Sequence, residues 1–215
     1  SLDLGVRALL AASAPGAGRE AALSRPIPPV PEPGVPMSAA YALSVIDRER
    51  HADDVVVEEA PSTRSTIQTY LPMNGADSFY TMASGGLGHS MPAAVGIALA
   101  RQRMKLPGRV IALIGDGSSL YSIQALYSAA QLDLPITFLI LNNRRYAALQ
   151  DFAPVFGYAP NDKPAGTELP GLDFAQLAGG QGVPGERVER PEGLAPRLRA
   201  AFAASGPNLI DIVIA

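Results

Sequence analysis

Two short apolar runs stand out along the chain, 110–114 (VIALI) and 136–141 (ITFLIL). Each is rich in β-branched residues and closes on small polar ones, Gly115-Asp116-Gly117 and Asn142-Asn143, which predicts strands buried on both faces. Between them, 119–132 sets Leu120, Ile123, Leu126, Tyr127 and Ala130 at helical spacing, and Pro135 ends that helix. The unit is βαβ, so its strands run parallel. Asp116 and Asn143 then emerge at the same carboxyl edge, where open α/β sheets bind ligands.

The same patterning extends outward. Residues 38–50 place Tyr41, Ala42, Val45 and Ile46 on a helical face behind Ser38 as N-cap, and 54–57 enter a strand closing on Glu58-Glu59-Ala60-Pro61-Ser62-Thr63. A glycine-rich turn, 84–88, leads into a helix over 91–103 with Ala94, Ile97 and Ala98 inward. Beyond Asn143, 144–152 begins another helix, and 153–172 is a proline- and glycine-rich mobile loop over the ligand edge. Asp173 caps 174–178, 191–204 is amphipathic, and 209–214 is a last buried strand. At the other end, Leu2, Val6, Leu9 and Leu10 share a helical face, and 15–36 is too proline-rich for a helix or central strand. The expected organisation is the end of a preceding domain over 1–14, a linker over 15–37 and one domain over 38–215. Its fold class is α/β, an open, mostly parallel sheet with helices on both faces.

Composition narrows the possibilities. A chain of 215 residues at 47% hydrophobic content can bury a substantial core. Net charge is −3 without a basic block, so neither nucleic acid nor an anionic membrane surface is indicated as a partner. The absence of cysteine excludes disulfides and thiolate metal sites and fits a reducing, cytoplasmic setting. No apolar run approaches membrane-spanning length.

A carboxylate and an amide carbonyl at one sheet edge supply hard oxygen ligands suited to Mg²⁺ or Ca²⁺, completed by main-chain carbonyl, water and phosphate oxygens. The glycines flanking Asp116 admit a diphosphate closely, and Ser118 with the following helix start offers anion donors. A dinucleotide loop fits less well. Leu120 stands where its third glycine belongs, and a bare carboxylate at Asp116 repels a pyrophosphate unless a cation intervenes. Within 84–88, Leu87 among glycines is placed to press on something flat, though a plain strand-to-helix turn would look alike. His89 and His51 are assigned no role.

GDG followed, across an apolar helical spacer, by NN resembles the signature of the thiamine diphosphate enzymes. ASGGLGHSMPAA, GDGSSLYSIQALYSAAQLDLP, NNRRYAALQDF and PGLDFAQLAGGQGV resemble, within that family, the benzoylformate decarboxylases. The likeness covers most of 62–215. It implies thiamine diphosphate as cofactor, with Asp116, Asn143 and the main-chain carbonyl of Arg145 holding Mg²⁺ or Ca²⁺. It places Thr63, Gly117, Ser118, Tyr121 and Tyr146 near the diphosphate, Gly85 under the aminopyrimidine and Leu87 between the two rings. Leu149 and Phe152 match positions lining the substrate pocket. From the residues alone, Thr63 reads equally as a helix cap, the tyrosines as packing, and Leu149 and Phe152 as core. Where the family carries Asn-Glu ahead of its hydroxyls, this chain has Ala60-Pro61, with its acids upstream.

The resemblance implies a 2-oxo acid substrate, benzoylformate above others, split to an aldehyde and CO₂ by a carboxy-lyase. The acid that activates the cofactor and the proton-handling histidines would come from an amino-terminal domain of a neighbouring subunit in a homo-oligomer. The expectation is therefore a half-site with no catalytic residue of its own, inactive alone. Two alternatives stay open: a carboligase of the acetolactate synthase kind, and a non-catalytic nucleotide- or metal-binding module.

Overall fold

The computed structural model describes residues 2–12, 28–73, 75–159 and 162–215. Residues 13–27, which take in most of the expected linker, lie outside the described residues. Residues 28–36 run without helix or strand. Met37, assigned to the linker from sequence, is instead fully buried and bridges to Ile214, so the core begins there.

Six parallel strands form the sheet: β1 Val55–Glu59, β2 Phe79–Thr81, β3 Val110–Gly115, β4 Ile136–Asn142, β5 Gly185–Val188 and β6 Asn208–Val213. Their spatial order is β2-β1-β3-β4-β6-β5. The open, parallel α/β sheet expected from the runs at 110–114 and 136–141 is present. The chain leaves β1 for β2 on one side and returns to β3 on the other. The carboxyl ends of β1 and β3 therefore flank a topological switch point, the usual ligand crevice of such sheets.

The helices are α1 Leu2–Ala12, α2 Ala39–Glu49, α3 Arg64–Tyr70, α4 Ser90–Met104, α5 Asp116–Ser119, α6 Ala125–Gln131, α7 Ala147–Phe152, α8 Phe174–Gly180 and α9 Pro191–Ala203. Alternate strand residues divide the core. Val56, Ile111, Leu113, Leu139 and Ile212 pack beneath α2, α3 and α9, while Val57, Val110, Ala112, Ile114, Phe138 and Ile140 pack beneath α4, α6 and α8. Each fully buried Val, Leu, Ile or Phe among them contributes about 1.5–3 kcal/mol, so both layers hold the sheet in place. Ser38 caps α2 by accepting from the Tyr41 N–H at 3.2 Å, and Asp173 caps α8 through Gln176 at 3.0 Å, both as the sequence predicts. On α1, Leu4, Val6, Leu9 and Leu10 are exposed.

One expected helix is broken. Instead of running over 119–132 it divides into α5 and α6, joined by tight turns in which Tyr121 donates to Ser118, Ser122 to Ser119 and Ala125 to Ser122. Such i→i+3 winding turns faster than an α-helix, so the apolar stripe drifts and Tyr127, predicted inward, is exposed. The short edge strands β2 and β5 carried no recognisable pattern of their own. Pairing with β1 and β6 makes them strands.

Candidate functional site

The site is built at the carboxyl ends of β1, β3 and β4, around a cavity of about 500 Å³. Asp116 lies on its wall, directly after β3, and is buried. Its Oδ1 accepts the Gly117 N–H at 2.8 Å, while Oδ2 is buried with no hydrogen-bond partner among the described residues. Desolvation pushes this carboxyl up from 3.8 to about 6. The nearby N–H groups of Gly117, Arg144 and Arg145 oppose the rise, and the charge of Asp211 adds to it.

The backbone after β4 is folded toward that carboxyl. Gly115 pairs with Leu141, so Asp116 and the two asparagines emerge at adjacent strand tips as expected. Asn142 is buried. Its amide donates to Asp211 at 2.8 Å and its oxygen accepts the Arg144 N–H at 3.1 Å. The Asn143 oxygen accepts the Arg145 N–H at 3.2 Å, and Arg144 takes the left-handed conformation, φ 60°, that this double turn requires. A bridge to Glu168 uses the carbonyl of Arg144 and the N–H of Tyr146. In that pattern the carbonyl of Arg145 points away from the bridge, on the side of its own N–H and of Asp116. The Arg144 and Arg145 N–H groups are thus committed to asparagine side chains and the Gly117 N–H to Oδ1, which leaves Oδ2 without a donor among the described residues. Among the described residues there is no cluster of three or more His, Cys, Asp or Glu. A buried carboxylate oxygen without a partner, on the wall of a cavity lined in part by glycines and serines, is oxygen-donor chemistry that fits a hard divalent ion.

Gly117 and Ser118, in the first turn of α5, are buried and line the cavity. An added Cβ at Gly117 would stand 2.4 Å from the Tyr146 ring, so glycine is required for that tyrosine to lie over the turn. Burial and the neighbouring Tyr121 and Asp116 push the Tyr146 phenol up.

At the tip of β1 the structure corrects the sequence. Thr63 is buried and off the cavity wall, whereas Pro61 and Ser62 line it. The 3₁₀ turn Pro61–Thr63 rotates successive residues by a third of a turn, which sends Thr63 inward and leaves Ser62 facing the site. Glu58 and Glu59 are not loose acids upstream of the site. Both are buried in β1, where Glu58 holds Arg64 and Thr81, and Glu59 holds the start of α4.

Gly85 and Leu87 line the far end of the same cavity with the exposed Tyr121. Leu149, at 59% exposure, lines this cavity, and Phe152, at 57%, lines an adjoining one of about 280 Å³ together with Leu149, Phe156 and Tyr158. Their exposure excludes the core reading. The loop after α7 lies over the ligand edge where the sequence puts it, but no pattern singles out any of its residues. Ala165, Gly166 and Thr167 close over the cavity, tied down where Gln150 donates to Thr167 and Glu168 at 3.0 and 2.7 Å. A lone threonine in a proline- and glycine-rich stretch gives no signal of this. Asn143 is half-buried and not itself on the cavity wall.

Residues 62–212 match the family model described as thiamine pyrophosphate enzyme, C-terminal TPP binding domain. The chain is 41% identical over 191 residues to a benzoylformate decarboxylase of Pseudomonas aeruginosa, covering 89% of this chain and 35% of that protein. It is 35% identical over 184 residues to a putative acetolactate synthase large subunit of Mycobacterium tuberculosis, covering 83% of this chain and 34% of that one. Among solved structures, a thiamine diphosphate-dependent 4-hydroxybenzoylformate decarboxylase from Rhodococcus jostii RHA1 superposes with a TM-score of 0.84 at 33% identity, covering 97% of this chain and 38% of its own. The chain spans about a third of the length of the curated relatives it matches.

Proposed function

The chain belongs to the thiamine pyrophosphate enzyme family, as its C-terminal TPP-binding domain, and from that premise we propose that it forms the diphosphate half of the active site of an aryl 2-oxo acid decarboxylase. The observation that carries this reading is the buried, unpartnered Oδ2 of Asp116 beside a glycine-lined cavity. A divalent ion, Mg²⁺ or Ca²⁺, would be held by Asp116, the Asn143 side chain and the Arg145 carbonyl. The diphosphate would lie against Gly117, Ser118, Tyr121 and Tyr146, with Ser62 supplying the hydroxyl first expected from Thr63. Gly85 and Leu87 would face the ring half of the cofactor. When bound, thiamine diphosphate supplies the electron sink that lets CO₂ leave a 2-oxo acid.

This chain's residues orient and enclose. Leu149, Phe152 and Phe156 form an apolar annex beside the cavity, wide enough for an aryl group and larger than a methyl group needs. Leu149, Phe152, Val155, Phe156 and Tyr158 make an exposed apolar surface around the cavity mouth. That surface supports the reading that an amino-terminal domain from a neighbouring subunit of a homo-oligomer covers it and brings the acid and the proton carriers. The domain alone is then inactive. No helix among the described residues is long and apolar enough to cross a membrane.

The test is product analysis on the intact protein with Mg²⁺ and thiamine diphosphate. Benzoylformate should give benzaldehyde and CO₂ faster than pyruvate gives any product. Condensation of two pyruvates to a branched 2-hydroxy-3-oxo acid with loss of one CO₂ would favour the carboligase reading, for which the mycobacterial relative is the supporting observation. Binding of ATP or NAD in preference to thiamine diphosphate would overturn both.

A further inference from the structure

We propose that Glu59 is a positioning residue for the cofactor, its buried carboxylate fixing the glycine-rich loop against which the ring half lies, a proposal that rests on the reading above. Glu59 is the last residue of β1 and 2% exposed. Its Oε1 accepts the Gly88 N–H at 2.6 Å, and its Oε2 accepts the N–H groups of His89 and Ser90 at 2.9 and 2.7 Å. Three consecutive backbone donors at the start of α4 thus converge on one side chain from another element. His89, at the N-cap position, contributes no side-chain cap of its own. The adjacent Ser90 hydroxyl donates to the Glu58 carbonyl at 3.0 Å, which adds a second tie to the same strand.

This anchorage bears on the cavity. Leu87 directly precedes the clamped residues and Gly85 lies two further back, and both are on the cavity wall. Gly88 takes φ 90°, and a Cβ there would stand 2.9 Å from the Cβ of Tyr121, so the loop is pressed against that tyrosine on its other side. The carboxylate at the tip of β1 and Tyr121 beyond β3 together determine where Gly85 and Leu87 stand relative to Asp116. Glu59 does not itself line the cavity, so it acts through the loop. Its geometry also suits the N-terminal dipole of α4, which makes the clamp stronger than a neutral cap.

A plain helix cap and a positioning residue differ in what they change. Loss of a cap weakens the fold and with it every ligand in proportion. Loss of positioning harms the ring half and spares the diphosphate half at Asp116. In Glu59→Gln, an amide N–H₂ replaces one oxygen and opposes backbone donors, which leaves at least one N–H unpaired. In the intact protein, affinity for Mg²⁺ with thiamine diphosphate should fall about tenfold or more. Affinity for Mg²⁺ with inorganic pyrophosphate should stay within about twofold. Leu198→Ala, on the buried face of α9, serves as the control that lowers stability without separating the two affinities. Should Glu59→Gln fail to fold, Glu59→Asp keeps the carboxylate but draws the loop toward β1, and should show the same separation. Equal losses for both probes, or none for either, would overturn the proposal. A wild-type protein that binds pyrophosphate with Mg²⁺ but not thiamine diphosphate would instead overturn the reading it rests on.

Discussion

Asp116 should cost the metal-free protein stability while making the metal-bound one possible, and Asp116→Asn separates the two effects. Burial raises its carboxyl from 3.8 to about 6, so the folded state binds a proton more tightly than the unfolded chain. A raised value gives stability that is complete below about pH 3.8 and lost as pH rises through about 6. Above that range, the ionised carboxylate costs roughly 3 kcal/mol, the free-energy equivalent of the interval. Asparagine removes the charge but leaves a buried amide N–H₂ where Oδ2 now lacks a partner, which returns about 1 kcal/mol of that gain. The net expectation with chelator at about pH 7.5 is a variant more stable by about 2 kcal/mol, a rise of about 4–8 °C in Tm. Near pH 5 the wild-type carboxyl is largely protonated and the advantage should mostly vanish. Saturating Mg²⁺ with thiamine diphosphate should reverse the order, raising the Tm of the wild type and not of the variant. Thermal unfolding under these conditions is the assay. A variant less stable than wild type in chelator, or still stabilised by metal and cofactor together, would refute the reasoning.

Gly117→Ala should displace the Tyr146 ring, with a strain of about 1–3 kcal/mol, and weaken metal-dependent cofactor binding about tenfold or more; isothermal titration reads it. Leu149→Ala should raise KM for benzoylformate about tenfold and leave that for pyruvate within about twofold, because it removes apolar surface shared by the annex and the cavity while leaving Asp116, Gly117 and Ser118 in place. Arg187→Ala removes the guanidinium that donates to Asp211 at 2.7 Å and leaves a fully buried carboxylate without its counter-charge. Burial already pushes Asp211 up while Asn142 and Arg187 hold it down. Arg187 is partly solvated, so the expected loss in denaturant unfolding at neutral pH is about 2 kcal/mol rather than the full cost of a buried pair. That loss should shrink in acid as Asp211 protonates, and Arg187→Ala with Asp211→Asn should be milder than Arg187→Ala alone.

Local pattern determined much of this protein. The runs at 110–114 and 136–141, with their polar closures, gave the two central strands, and the parallel crossover between them sent Asp116 and Asn143 to one edge. Those inferences hold because a strand buried on both faces is written mostly with apolar residues, and a crossover leaves its two strand tips on the same side. Tertiary structure decided what short sequence stretches could not encode. Phe79–Thr81 and Gly185–Val188 are strands because neighbours pair with them, and the helix after Gly117 breaks because its first turn is wound for the site. One turn of 3₁₀ helix exchanges Thr63 for Ser62 at the cavity, and a threonine 50 residues beyond Gly117 closes it. In sequence Glu59 stands beside Glu58 where the pattern closes a strand, and Asp211 lies inside the apolar run 209–214. Long-range partners, the α4 amides for one and Arg187 with Asn142 for the other, make a buried carboxylate tolerable, and such partners exist only once the chain has folded.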